Sequence, residues 1–181
     1  MVVCLIGLSG FAVRADEPRP FFNEFNLHGG GVYFNGQNGA GVVGASFDSG
    51  IDFGKAGFEF LFKILYGPTT FGAGSGTQSP FLGLDVGLRI VVYSDKLAFK
   101  FGPIYGAGGN RSAATAGVGP TFGVFYQTSR TYPVYVGYGA ETQVLMPIVA
   151  KSKIPMVNGL VTVFFGTRMS LLEKLISRMF R

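Results

Sequence analysis

The sequence predicts an all-β fold, a closed antiparallel up-and-down β-barrel of about eight strands, followed by a short C-terminal amphipathic helix. Three observations predict it. Eight segments of about ten residues alternate large apolar positions with small or polar ones, the period of a strand whose two faces differ. The connections between these segments alternate in length. The chain is 48% hydrophobic and 15% aromatic with 14% charged residues, yet no run reaches the roughly 20 apolar residues that a spanning helix needs.

The apolar stretch 2–13 ends in Val13-Arg14-Ala15, small residues placed for cleavage after Ala15. Residues 1–15 therefore read as a signal peptide. Its removal takes away Cys4, the one cysteine, and with it any disulfide framework. Residues 16–24 form a polar leader that opens Asp16-Glu17-Pro18-Arg19-Pro20.

Residues 25–169 read as the barrel. The clearest strand is 81–92, with Leu82, Leu84, Val86, Leu88, Ile90 and Val92 on one face and Gly83, Asp85, Gly87 and Arg89 on the other. Segment 55–66 sets Phe58, Phe60, Phe62 and Ile64 against Glu59 and Lys63. Segments 96–105, 118–127, 132–143 and 159–169 repeat the pattern. Two weaker, Gly-rich segments, 26–34 and 40–48, come first and are joined by Asn35-Gly36-Gln37-Asn38-Gly39, whose Asn-Gly pairs signal a hairpin turn. The later connections run tight near 50–54, 94–95 and 128–131, and long over 67–80, 106–117 and 145–157. In an even-stranded meander the long connections then share one end.

The layout resembles the small eight-stranded bacterial outer-membrane β-barrel class over about residues 25–169. That resemblance implies a transmembrane barrel with short periplasmic turns and longer outer loops. A soluble lipocalin-like carrier is the alternative fold. The second face separates them. A soluble barrel would show water a face rich in Lys, Glu, Ser and Thr. Here that face is mostly glycine with single charges: Glu59, Lys63, Asp85, Arg89, Lys100, Glu141 and Arg168. Such a set suits a narrow interior in which charges pair, and eight strands leave a lumen that side chains fill. The expected network centres on Glu59, Arg89, Lys100 and Glu141. Tyr33, Tyr66, Tyr93, Tyr105, Tyr126, Tyr132 and Tyr138 fall near strand ends, where aromatic girdles lie.

Residues 170–181 change period. Leu171, Leu172, Leu175, Ile176, Met179 and Phe180 recur at helical spacing behind a Ser170-x-x-Glu173 box, which predicts an interfacial amphipathic helix suited to a membrane surface or an envelope protein partner.

Chemistry is sparse. One histidine and one cysteine supply no metal constellation, and no cofactor motif is present. The Gly-rich 72–76 lacks the Gly-Lys-Ser/Thr of a phosphate loop and reads as an outer loop. Basic residues form no patch or stripe for nucleic acid. His28, Ser46 and Asp48 would form a hydrolytic triad if the first hairpin pairs about Gln37. A hydrogen-bonded lumen histidine explains the same residue, and no enzyme activity is expected. The expected role is structural or surface interaction in the bacterial outer membrane, carried by the extracellular loops. Its partners would be outer-membrane lipid, lipopolysaccharide and, during insertion, the barrel assembly machinery. A lipid A-modifying enzyme or a narrow channel is the alternative.

Overall fold

A computed structural model describes residues 20–34, 38–72, 79–111, 114–149 and 154–169. The strands are β1 (Phe21–Phe34), β2 (Asn38–Asp52), β3 (Ala56–Gly67), β4 (Thr70–Gly72), β5 (Phe81–Ser94), β6 (Leu97–Gly109), β7 (Ala114–Gln127), β8 (Val134–Val149) and β9 (Met156–Met169). Eight of them pair antiparallel with their neighbours in turn, and β1 pairs with both β2 and β9, so the sheet closes on itself. Short β4 takes no part in closure. It pairs with Asn38–Ala40 of β2, extending the wall at the end away from the described termini.

Alternation along each strand fixes the orientation of the wall. In β3 exposed and buried residues alternate without a break. Phe58, Phe60, Phe62 and Ile64 face out, and Glu59, Leu61, Lys63 and Leu65 face in. The same holds around the barrel, where Phe25, Phe47, Leu82, Leu88, Phe101, Phe122, Val136, Val161 and Phe165 are all exposed. This belt is the reverse of a soluble lipocalin-like barrel, which would turn those side chains inward.

The tight turns lie at the end that holds the described termini. Gly54 takes a positive φ of 102°, which glycine adopts without strain, and its N–H donates to Asp52 Oδ1 at 2.7 Å. Asp95 turns β5 into β6 at φ 53°, a left-handed conformation that Asp tolerates.

Four expectations need correction. The described residues are all β, with no helix, so a closed barrel is the fold class they show and the appended helix is unsupported. That helix was placed on residues 170–181, which lie outside the described residues, as do 1–19. It rests on apolar spacing and the Ser170-x-x-Glu173 box, and a run of about twelve residues is marginal as an isolated helix. Second, β1 begins at Phe21, inside the expected leader, because Phe22 and Glu24 both point into the lumen and an inward Glu breaks the apolar count. Third, β6 and β7 run well into the expected loop 106–117, and β8 runs to Val149 inside the expected loop 145–157, which β9 enters by two residues. The Gly and Ala positions of β6 and β7 pair through the backbone and carry no alternation signal. Fourth, Tyr93 belongs to the lumen, 8% exposed, rather than to a girdle.

Two apolar clusters fill the lumen on either side of a polar middle. One, toward the longer connections, includes Phe34, Leu61, Leu65, Phe81, Leu145 and Met156. The other, toward the tight turns, gathers Phe22, Val91, Tyr93, Phe125, Tyr135 and Phe164.

Candidate functional site

The polar middle of the lumen is the candidate site. Its residues come from six strands because each strand turns every second side chain inward. Glu24 (β1), Asp48 (β2), Glu59 and Lys63 (β3), Arg89 (β5), Lys100 (β6) and Glu141 (β8) are all buried. Arg89 is the hub. Its Nη2 lies 2.7 Å from Asp48 Oδ2 and 2.5 Å from Glu59 Oε1, and its Nη1 lies 2.9 Å from Glu141 Oε2. The flat guanidinium fork is suited to bridging carboxylates from several directions. Lys100 Nζ sits 2.5 Å from Glu24 Oε2, 2.9 Å from Glu59 Oε2 and 3.6 Å from Asp48 Oδ2. Lys63 donates to Glu141, and Tyr135 donates its hydroxyl to Glu24 Oε1 at 2.7 Å.

Five of the seven lumen charges named from sequence meet in this cluster: Glu59, Lys63, Arg89, Lys100 and Glu141. Asp85 does not join by an ion pair. It is buried opposite Lys63 on the neighbouring strand, and its Oδ2 has no hydrogen-bond partner. Arg168 belongs to a separate group at the tight-turn end. Its Nη1 donates to Asp52 Oδ2 at 2.7 Å, and Arg130 Nη2 reaches the same oxygen at 3.0 Å. The Arg130 guanidinium also lies 4.0 Å from the Tyr93 ring centre, a cation–π contact. Sequence reasoning missed Glu24 outright. It weighed Asp48 only within the conditional triad and left it out of the charge network, although its even spacing from the inward Ser46 marked it as a lumen residue.

The triad geometry is absent. The β1–β2 register places His28 opposite Gly44 and Asn26 opposite Ser46, because the hairpin is centred on Gly36 rather than Gln37. His28 Nδ1 meets Thr162 Oγ1 at 2.9 Å and lies 3.8 Å from Glu141 Oε1. His28 Nε2 has no hydrogen-bond partner. Ser46 Oγ accepts from Asn26 Nδ2 at 2.9 Å and donates to Asp48 Oδ1 at 3.1 Å. The nucleophile–base hydrogen bond that activates a serine is therefore missing, and these bonds organise the lumen instead.

Among the described residues, one carboxylate group is compact enough to share a metal ion: Glu24, Asp48 and Glu59, with ligand atoms within 4.8 Å of one another. Lys100 Nζ contacts all three residues, so an ammonium of the chain itself neutralises the position that a cation would take.

A closed eight-stranded antiparallel barrel, apolar outside and filled inside by paired charges between two apolar clusters, is the class that this fold and lumen define. No protein-family model and no curated protein matches the sequence. Among solved structures the chain is similar to the crystal structure of Neisserial surface protein A (NspA), with a TM-score of 0.52 and 11% sequence identity over 82% of this chain and 97% of that one. At that identity the likeness is one of fold. The chain is a small eight-strand barrel resembling an outer-membrane surface protein.

Proposed function

We propose that this chain is a bacterial outer-membrane protein with a structural or surface-interaction role, carried by the connections at the end away from the described termini. One observation carries this reading: large apolar side chains face outward around the wall while the lumen is filled by paired charges and apolar side chains. An exposed apolar surface of that extent calls for a lipid surrounding. A lumen filled by side chains supports a structural or surface role over a wide channel. The likeness to NspA, an outer-membrane barrel, supports the same placement. Outer-membrane lipid and lipopolysaccharide would surround the wall, and the barrel assembly machinery would insert it.

Fractionation of a Gram-negative host that produces the chain tests the placement. The chain is expected in the outer-membrane fraction, running as a fast band without heating and a slower one after boiling. A soluble, heat-insensitive product would overturn the reading.

A further inference from the structure

The outer face is not uniform. Toward the longer connections, the outward positions of β6 and β7 shrink to Ala107, Gly109, Ala114 and Ala116, with Ala107 opposite Ala116 and Gly109 opposite Ala114. Leu82 and Leu84 of β5, 63% and 46% exposed, stand beside them as one bank. The resulting depression measures about 530 Å³ and reaches Asn110 at its top. Lower on the same strand pair, a second depression of about 490 Å³ lies over Pro103 and Pro120, beside the exposed rings of Phe101 and Phe122. Those prolines face each other across the two strands. Proline cannot donate to a ladder and is otherwise confined to edges and bulges, and a closed barrel has no edge. The pairing of β6 with β5 skips Leu88 and Arg89, and that of β7 with β8 skips Gly119 and Pro120. Ladder regularity has been given up where the wall is hollowed.

Charge supplies a second observation. The four connections at this end contain Arg111, Lys151 and Lys153 and no Asp or Glu. Arg111 is exposed and directly follows Asn110, whose Nδ2 donates to Thr70 Oγ1 at 3.1 Å. A trough lined by small apolar groups thus ends at Asn110, next in the chain to the exposed cation of Arg111.

We propose that the β6–β7 trough docks a phosphate-bearing lipid of the surrounding bilayer, with one acyl chain along Ala107 and Ala116 and the phosphate at Arg111. The assignment rests on the membrane placement proposed above. A sugar or a peptide backbone laid in the trough would leave polar groups unmet; hydrocarbon leaves none. The headgroup follows from the rim, because guanidinium pairs with phosphate through two parallel donors.

Native mass spectrometry of the full chain, folded in a nonionic detergent, tests the site with dioctanoyl phosphatidic acid as the probe and dioctanoylglycerol as its uncharged counterpart. The wild-type barrel should retain one phosphatidic acid and less of the diacylglycerol. Filling the trough with Ala116→Phe or Ala107→Leu, or removing the rim charge with Arg111→Gln, should each lower retention by about tenfold, the equivalent of one good polar contact or a few methylenes. Val163→Phe, an outward change on β9, should leave retention unchanged. Each protein is first checked for the fast unheated band. A wild-type chain that lacks this band defeats the membrane placement itself. Wild type with the band and variants that retain lipid equally would overturn the trough alone, as would equal loss in Val163→Phe.

Discussion

The charge ledger of the lumen makes an asymmetric prediction. Glu24, Asp48, Glu59 and Glu141 are buried in the polar middle against Lys63, Arg89 and Lys100: four carboxylates and three cations, an excess of one acid. Removing a base should therefore cost far more than removing an acid. Arg89→Leu strips a shared partner from Asp48, Glu59 and Glu141 and widens the excess to two. Breaking a buried pair from one side costs about 3–5 kcal/mol. Glu59→Gln removes the excess and leaves every cation partnered. Arg89 keeps Asp48 and Glu141, and Lys100 keeps Glu24 and Asp48. Its cost should stay below about 1 kcal/mol, the scale of an ordinary exchanged hydrogen bond. The double change Arg89→Leu/Glu59→Gln should be more stable than Arg89→Leu alone, a coupling between neighbours that a double-mutant cycle isolates. Urea titration of the barrel folded into phospholipid vesicles, with the folded fraction read from the unheated gel band, measures all three. A Glu59→Gln loss equal to that of Arg89→Leu would refute the reasoning, because the acids would then not be in excess.

Three further outcomes follow from the same geometry. Gly137→Val should cost about 1–3 kcal/mol by overpacking, since a Cβ there meets the Phe164 ring and the Tyr126 carbonyl; Gly159→Ala, which meets nothing, should stay within about 0.5 kcal/mol in the same titration. His28→Ala should leave the lipid A profile of producing cells unchanged by mass spectrometry, and an acyl change on overproduction that His28→Ala abolishes would mean that the barrel is an enzyme. Planar-bilayer recordings should show no large, stable conductance steps, because Arg89, Tyr135, Phe22 and Phe81 plug the lumen with side chains under 2% exposed.

Strand identity was legible wherever large and small residues alternate strictly, as in β3 and β5, because the pleat sends them to opposite faces. The inward charges were legible for the same reason: Glu59, Lys63, Arg89 and Lys100 interrupt apolar runs at even spacing. Register was not. A hairpin centred one residue away moves every cross-strand pair by two, which separated His28 from Ser46 and set Asn26 there instead. Glu24 stayed hidden because Phe21 and Phe22 put adjacent apolar residues on both faces of the first turn of strand. The upper reaches of β6 and β7 stayed hidden too. Gly-Ala-Gly-Gly and Ala-Ala-Thr-Ala-Gly offer nothing for a periodicity to register, while their backbone pairing continues to Gly109 and Ala114.

The proposed membrane placement requires the wall to turn its bulky apolar face to lipid. The chain contains no tryptophan, so a single one can be placed at will. Phe122→Trp puts the indole on the outer face and Phe125→Trp puts it in the lumen, at positions 50% and 2% exposed. In vesicles of phospholipid brominated along the acyl chains, fluorescence of the Phe122→Trp barrel should be strongly quenched, and that of the Phe125→Trp barrel should stay close to its value in unbrominated vesicles. Quenching of the lumen indole with the outer one spared would contradict the account, as would an outer indole that the brominated chains never reach.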